Sequence, residues 1–172
     1  LSEVENFLSE KQSKYDIIDL YKMNYDPVLH ENEHYTVGNR DISLINRIIQ
    51  EKIKTSKVLI FIYPVWWGTM PAILKGMFDK IITPRFAFYF NRFGIPRPLL
   101  SGKRAEVFIT SQTNPIILWL FKYHHKDHIK HNILGFAGVK ANVHHLGGCK
   151  ILTERKKNKI KKIVKKALFK YF

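Results

Sequence analysis

Val58-Leu-Ile-Phe-Ile-Tyr63 runs straight into Pro64-Val-Trp66-Trp67-Gly68, with Pro71 close behind. Six apolar residues rich in β-branched and aromatic types predict a strand buried on both faces. Pro64 has no N–H to give a sheet ladder and ends the run. Pro71 can open a helix at its first position, and Ile73, Leu74, Met77, Phe78 and Ile81 give that helix one apolar face. The two indoles therefore fall in a loop at the carboxyl end of a strand, the edge at which open α/β sheets bind ligands. Two adjacent tryptophans cannot both point into one core. At least one is expected to face a ligand, a partner chain or water.

The same alternation continues along the chain. Leu1 to Lys11 has a helical apolar face of Leu1, Val4, Phe7 and Leu8. Tyr15 to Leu20 reads as a strand, and Asn24 to Arg40 as a polar loop. Asp41 is a candidate cap for a helix carrying Ile42, Leu44, Ile45, Ile48, Ile49 and Ile53. Phe86 to Leu100, with Gly94, Pro96 and Pro98, reads as an irregular excursion. Ala105 to Thr110 is the next strand, Pro115 to His131 is helical in pattern, and Val139 to Leu146 holds the last strand. Strands alternating with helices predict a parallel α/β sheet, read as one domain over residues 1–172.

Charge narrows the classes of partner. The formal net charge is +15, and nine Lys or Arg lie between Thr153 and Phe172 against one acid, Glu154. In that segment Ile160, Ile163, Val164, Ala167, Leu168 and Tyr171 recur at helical spacing. The reading is an amphipathic helix packed by its apolar stripe, with its lysines on a solvated face. Contact of this basic helix with a membrane surface is the lesser alternative, and no nucleic-acid motif accompanies it. The single cysteine, Cys149, forms no internal disulfide, is compatible with a reducing cytoplasm, and reads as a packing residue.

The motif Tyr63-Pro64-x-Trp66-Trp67-x-x-x-Pro71-Ala72-x-Leu74-Lys75-Gly76-x-x-Asp79-Lys80 resembles the flavodoxin-like NAD(P)H:quinone oxidoreductase family. Arg85-Phe86-Ala87-Phe88, Leu100-Ser-Gly102-Lys103-Arg-Ala105 and Ile133-Leu134-Gly-Phe136-Ala-Gly138-Val139 are similar to further family segments, in the same order. The resemblance spans roughly Lys14 to Leu152. It implies a flavodoxin-like parallel sheet of order 2-1-3-4-5 with helices on both faces. The family's first strand and phosphate-binding loop would fall ahead of Leu1. It also implies a homodimer, for which the aromatic run Phe86, Phe88, Tyr89, Phe90 and Phe93 is candidate interface.

The chemistry implied by the resemblance is hydride transfer from NADH or NADPH through a bound flavin to a quinone or similar acceptor. The flavin would be FMN, with FAD as the alternative. The other reading is a flavin-binding regulatory or electron-carrier subunit without quinone reductase activity. Pro64, Val65, Trp66, Trp67 and Gly68 would form the loop beside the flavin ring. Thr110, Ser111, Gln112 and Thr113 stand where the family often has Thr-Thr-Gly-Gly, and would form a second loop. Tyr123 and His124 are the candidates for the Tyr and His that some relatives place beside the ring. His124 and His128 lie one helical turn apart with His131 nearby, but no carboxylate or cysteine completes a zinc site, and no metal is expected. On the last strand, His144 and His145 are expected to face opposite sides.

Overall fold

The computed structural model describes residues 1–34, 36, 42–113 and 125–172. In chain order the elements are α1 (Ser2–Glu10), α2 (Leu44–Thr55), β1 (Val58–Pro64), α3 (Ala72–Ile81), β2 (Phe88–Phe90), β3 (Pro96–Pro98) and β4 (Arg104–Thr110). A helical turn at His125–Asp127 then widens into a π-helix at His128–Gly135, followed by β5 (Lys140–Leu146) and a C-terminal helix, Glu154–Phe169. The strands β1, β4 and β5 form a parallel sheet in that order. Their register brings Pro64, Thr110 and Leu146 level at the carboxyl edge.

Alternation along the strands sorts side chains to two faces. Ala105, Val107, Ile109 and Ala141 meet Ile49 and Ile53 of α2 and Leu74, Met77, Phe78 and Ile81 of α3. On the other face Phe108 and Leu146 pack with Val4, Phe7 and Leu8 of α1 and Val164, Ala167 and Leu168 of the C-terminal helix. Burying a side chain such as Phe108 contributes about 1.5–3 kcal/mol relative to leaving it in water. Gly76 on α3 allows close approach of the preceding loop, since a Cβ there would collide with the backbone of Pro27.

Five expectations are corrected. The Val58 strand is an edge strand, half-buried along most of its length, rather than buried on both faces. Among the described residues Tyr15 to Leu20 pairs with no strand. The physical reason is the same for both. A cleft of about 980 Å³ lies between the wall Ser13–Tyr21 and the free edge of β1, so neither side has a ladder partner there. The cap of α2 is Ser43, whose Oγ accepts from Asn46 N at 3.3 Å, whereas Asp41 lies outside the described residues. One turn of that helix is also rotated from expectation, with Leu44 and Ile48 exposed and Asn46 and Gln50 buried. Tyr25 donates its hydroxyl to Asn46 Oδ1, and Gln50 Nε2 donates to Ile81 O, which makes those polar positions the better-satisfied inner face. Finally, the Phe86–Leu100 excursion contains an antiparallel pair, β2 with β3. Its prolines sit at both ends of β3, where a two-stranded ribbon leaves an unpaired side.

Candidate functional site

The Trp-Trp loop is a two-residue hairpin. Trp66 N donates to Thr69 O and Thr69 N to Trp66 O, each at 2.9 Å. The central residues are both left-handed, Trp67 at φ 46° and Gly68 at φ 78°. Left-handed geometry at both positions defines a type I′ turn, in which Gly68 is at ease and Trp67 is strained. Trp67 is 94% exposed and Trp66 60% exposed, so the strain is not offset by burial in this chain. Strained residues held in the open are characteristic of binding loops. Among the described residues the N–H groups of Trp67 and Gly68 meet no acceptor.

Local sequence explains the position. Pro64 ends the β1 ladder level with Thr110, and Val65 N donates to Thr110 O at 2.7 Å, fastening the hairpin to the end of β4. Behind it, Met70 and Pro71 are buried and start α3. Three residues before Trp66, Tyr63 is buried, and its hydroxyl has no partner among the described residues. Burial pushes that phenol upward, so it stays protonated and remains a donor at neutral pH.

The second loop lies beside the first. Ser111 is buried, while Gln112 and Thr113 are exposed. Neither Gln112 nor Thr113 has a positive φ, so the backbone there does not demand glycine. The Ser111 hydroxyl is engaged within the protein, with Thr113 O at 2.9 Å and His145 Nε2 at 2.8 Å. Thus the structure brings Pro64, Val65, Trp66, Trp67 and Gly68 next to Thr110, Ser111, Gln112 and Thr113 at one sheet edge. Tyr123, His124 and most of the Pro115 to His131 segment lie outside the described residues.

A separate apolar surface lies on the β2–β3 ribbon, whose flank is bonded to the segment ahead of β5 through Leu100 N and Ala137 O. Tyr89, Phe90, Phe93 and Ile95 of the β2–β3 ribbon are exposed, and Phe136 is 40% exposed beside it. Phe88 underpins them, 4.9 Å from the Phe136 ring and 5.4 Å from the Phe90 ring.

Two ionic sites escaped sequence reasoning. Glu106, fully buried in the central strand, accepts from His144 Nε2 at 2.6 Å, Asn142 Nδ2 at 2.8 Å, Tyr171 at 2.6 Å and Lys170 Nζ at 2.7 Å. Burial alone would raise its carboxyl, but those bonds from Lys170, Tyr171, His144 and Asn142 outweigh burial and hold it below the usual carboxylate range. The signal was available, since a glutamate interrupts the apolar run Ala105-Glu-Val-Phe-Ile109. Lys80, also buried, lies 3.0 Å from Glu33 and 3.4 Å from Asp26, tying α3 to the preceding loop. The backbone N–H of Val28 and the side chain of His30 hold the Asp26 carboxyl at about 2. Neither cluster reaches the Trp67 edge. Among the described residues no group of three metal-ligating side chains gathers.

The geometry has counterparts. The family model described as flavodoxin-like fold matches residues 2–168. An uncharacterized NAD(P)H oxidoreductase of Haemophilus influenzae is 35% identical over 99 residues, covering 56% of this chain and 47% of that protein. This chain spans about half the length of the curated relatives it matches. An NAD(P)H:quinone oxidoreductase from Methanothermobacter marburgensis superposes with a TM-score of 0.80 at 24% identity, over 96% of this chain and 83% of that one. An FMN-dependent NADH-azoreductase from Bacillus anthracis, solved with FMN, gives a TM-score of 0.72 at 18% identity, over 99% and 88%. At these identities the superpositions show the fold.

Proposed function

The chain belongs to the flavodoxin-like fold family, and on that premise we propose that it serves an NAD(P)H-dependent flavin oxidoreductase passing reducing equivalents to a quinone or similar acceptor. The observation that carries this reading is the strained, exposed Trp67 hairpin beside the Ser111–Thr113 loop at the carboxyl edge of a parallel sheet. The NAD(P)H oxidoreductase and quinone oxidoreductase names of its relatives support it.

The residues present fit a flavin. A planar aromatic group finds an open indole face at Trp67, and stacking on it contributes about 0.5–1.5 kcal/mol beyond area burial. The partnerless N–H groups of Trp67 and Gly68 supply donors for the acceptor-rich edge of an isoalloxazine. The flavin, when bound, supplies the redox chemistry, and the protein supplies binding, orientation and exclusion of water. The same exposed aromatic surface suits flat nicotinamides and quinones. FMN is the flavin we favour, on the FMN-bound azoreductase of the same fold, and FAD is the alternative. The exposed ribbon of Tyr89, Phe90 and Phe93 is proposed as the surface of a two-fold dimer.

The test is direct. The protein is incubated with FMN and with FAD, desalted, and examined for the flavin spectrum. NADH or NADPH is then added without air, followed by a benzoquinone or naphthoquinone. Retained flavin, bleached by a nicotinamide and restored by the quinone, is the expected result. Flavin that stays oxidised under both nicotinamides would favour a carrier or regulatory subunit. Failure to retain either flavin would overturn the assignment.

A further inference from the structure

His145 sits on β5 level with Ile109, one residue short of the carboxyl edge. Its Nε2 lies 2.8 Å from Ser111 Oγ, and the same Oγ lies 2.9 Å from Thr113 O. A serine hydroxyl carries one proton and a carbonyl oxygen can only accept. The Ser111 proton must therefore lie on the Thr113 side, which leaves Ser111 Oγ an acceptor toward His145. His145 donates from Nε2, and in the neutral ring this fixes the tautomer.

The chain of bonds has one direction: His145 to Ser111, and Ser111 to Thr113. Thr113 O accepts a second bond from Gly148 N at 3.0 Å, and Ser111 O accepts from Cys149 N at 2.8 Å. Ser111 N in turn donates to Leu146 O at 3.1 Å. The loops after β4 and β5 are thus laced together, and the hairpin of Trp67 leans on the same strand end through Val65 N and Thr110 O. The hydroxyl of Ser111 spans its own loop, and its direction is set by the imidazole.

We propose that His145 is a positioning residue for the flavin site: by donating to Ser111 it orients that hydroxyl onto Thr113 O and holds the Gln112-Thr113 backbone in place for the flavin. The proposal rests on the flavin reading above. It assigns His145 no proton transfer and no contact with the reacting atoms.

Three variants test it. His145→Leu removes the donor. His145→Gln restores a donor near the position of Nε2. Ser111→Ala removes the relay and leaves the imidazole in place. FMN affinity is measured by quenching of flavin fluorescence. Amide exchange of Gly148 and Cys149 is measured on the flavin-free protein. Loss of one such bond is expected to weaken FMN about 2–10-fold in His145→Leu, with faster exchange at both amides. His145→Gln is expected to recover most of both, and the Leu/Ala double variant to be no worse than Ser111→Ala alone. A purely packing role would not be rescued by Gln, and its losses would add. Unchanged FMN binding and exchange in His145→Leu, a Gln variant as poor as Leu, or additive losses would each overturn the proposal. Should the Leu variant fail to fold, Ser111→Ala with His145→Gln carries the same comparison. Wild-type protein that takes up no flavin would sink the functional reading, while the exchange measurement would still decide whether His145 orders the loop.

Discussion

Tyr171 donates its hydroxyl to Glu106 Oε1 at 2.6 Å, so the residues following the C-terminal helix are fastened to the middle of the central strand. Lys170 reaches the same oxygen at 2.7 Å. The helix is thereby held at both levels, by an apolar stripe of Val164, Ala167 and Leu168 and by a charge-assisted anchor at its end.

Glu106→Gln is expected to destabilise the protein by about 1.5–3 kcal/mol at neutral pH, the range for a hydrogen bond to a charged group. The pH dependence has a fixed sign. The folded carboxyl is held below its ordinary value, so its contribution is complete above the unfolded value of about 4.3 and is lost as pH falls through the lower folded value. Wild type should therefore lose its advantage over Glu106→Gln in acid. Urea unfolding at neutral pH and at successively lower pH measures this. A gap that stays constant on acidification would contradict it.

Lys80 makes a second expectation. Its side chain is 6% exposed and its ammonium pairs with Glu33, whose side chain is 17% exposed. Lys80→Ala strands that carboxylate and should cost about 3 kcal/mol or more. Lys80→Met with Glu33→Gln should recover a large part, because no buried charge is then left unpaired and the exposed Asp26 keeps its contacts with His30 and Val28 N. Thermal unfolding of the single and double variants checks it, and a double variant no better than Lys80→Ala would be the contrary result.

The Trp67 hairpin separates binding from stability. Trp67→Gly should leave the melting temperature unchanged or raise it, since glycine adopts the left-handed turn without the cost paid by an L side chain. The same change should weaken FMN about 2–10-fold through lost stacking. A variant that binds FMN as wild type does, or that melts well below it, would count against the role given to this indole.

What the sequence made legible follows the range of each signal. The Val58 run and the Pro64 stop are local, so strand, turn and helix fell where expected, and Leu74, Met77, Phe78 and Ile81 are buried together. Periodicity likewise placed the C-terminal helix. Edges were not legible, because whether β1 or Tyr15 to Leu20 has a neighbour depends on what lies across a cleft rather than on their own residues. Polar burial misled for a related reason. Leu44 reads as core and is exposed, whereas Asn46 is buried because Tyr25, far away in sequence, supplies its partner. At the candidate site the Trp66-Trp67 pair announced a loop, but the tie between Ser111 and His145 crosses two strands and leaves no spacing to detect.

The basic helix was expected to keep its lysines on a solvated face, and two of them depart from that. Lys156 Nζ bonds the carbonyl of Gly148, beside the second site loop, and Lys170 binds Glu106. Lys157, Lys161 and Lys165 differ from these. Lys157 pairs with Glu154 on its own helix, and Lys161 and Lys165 lie along α1 next to Glu3 and Glu10. None of the three touches the strand ends. Changing Lys157, Lys161 and Lys165 together to Gln should therefore leave maximal turnover at saturating nicotinamide unchanged. Removing positive charge still lowers the long-range attraction of anionic NAD(P)H, over a screening length of about 8–10 Å near physiological salt. A modest rise in the apparent Michaelis constant at low ionic strength, vanishing as salt is added, is the expected signature. Lys156→Gln serves as the contrast: it removes a bond to the Gly148 loop and should weaken flavin binding at all salt concentrations. Loss of turnover in the triple variant with folding intact would place the outer face of the helix in the active site and overturn the distinction.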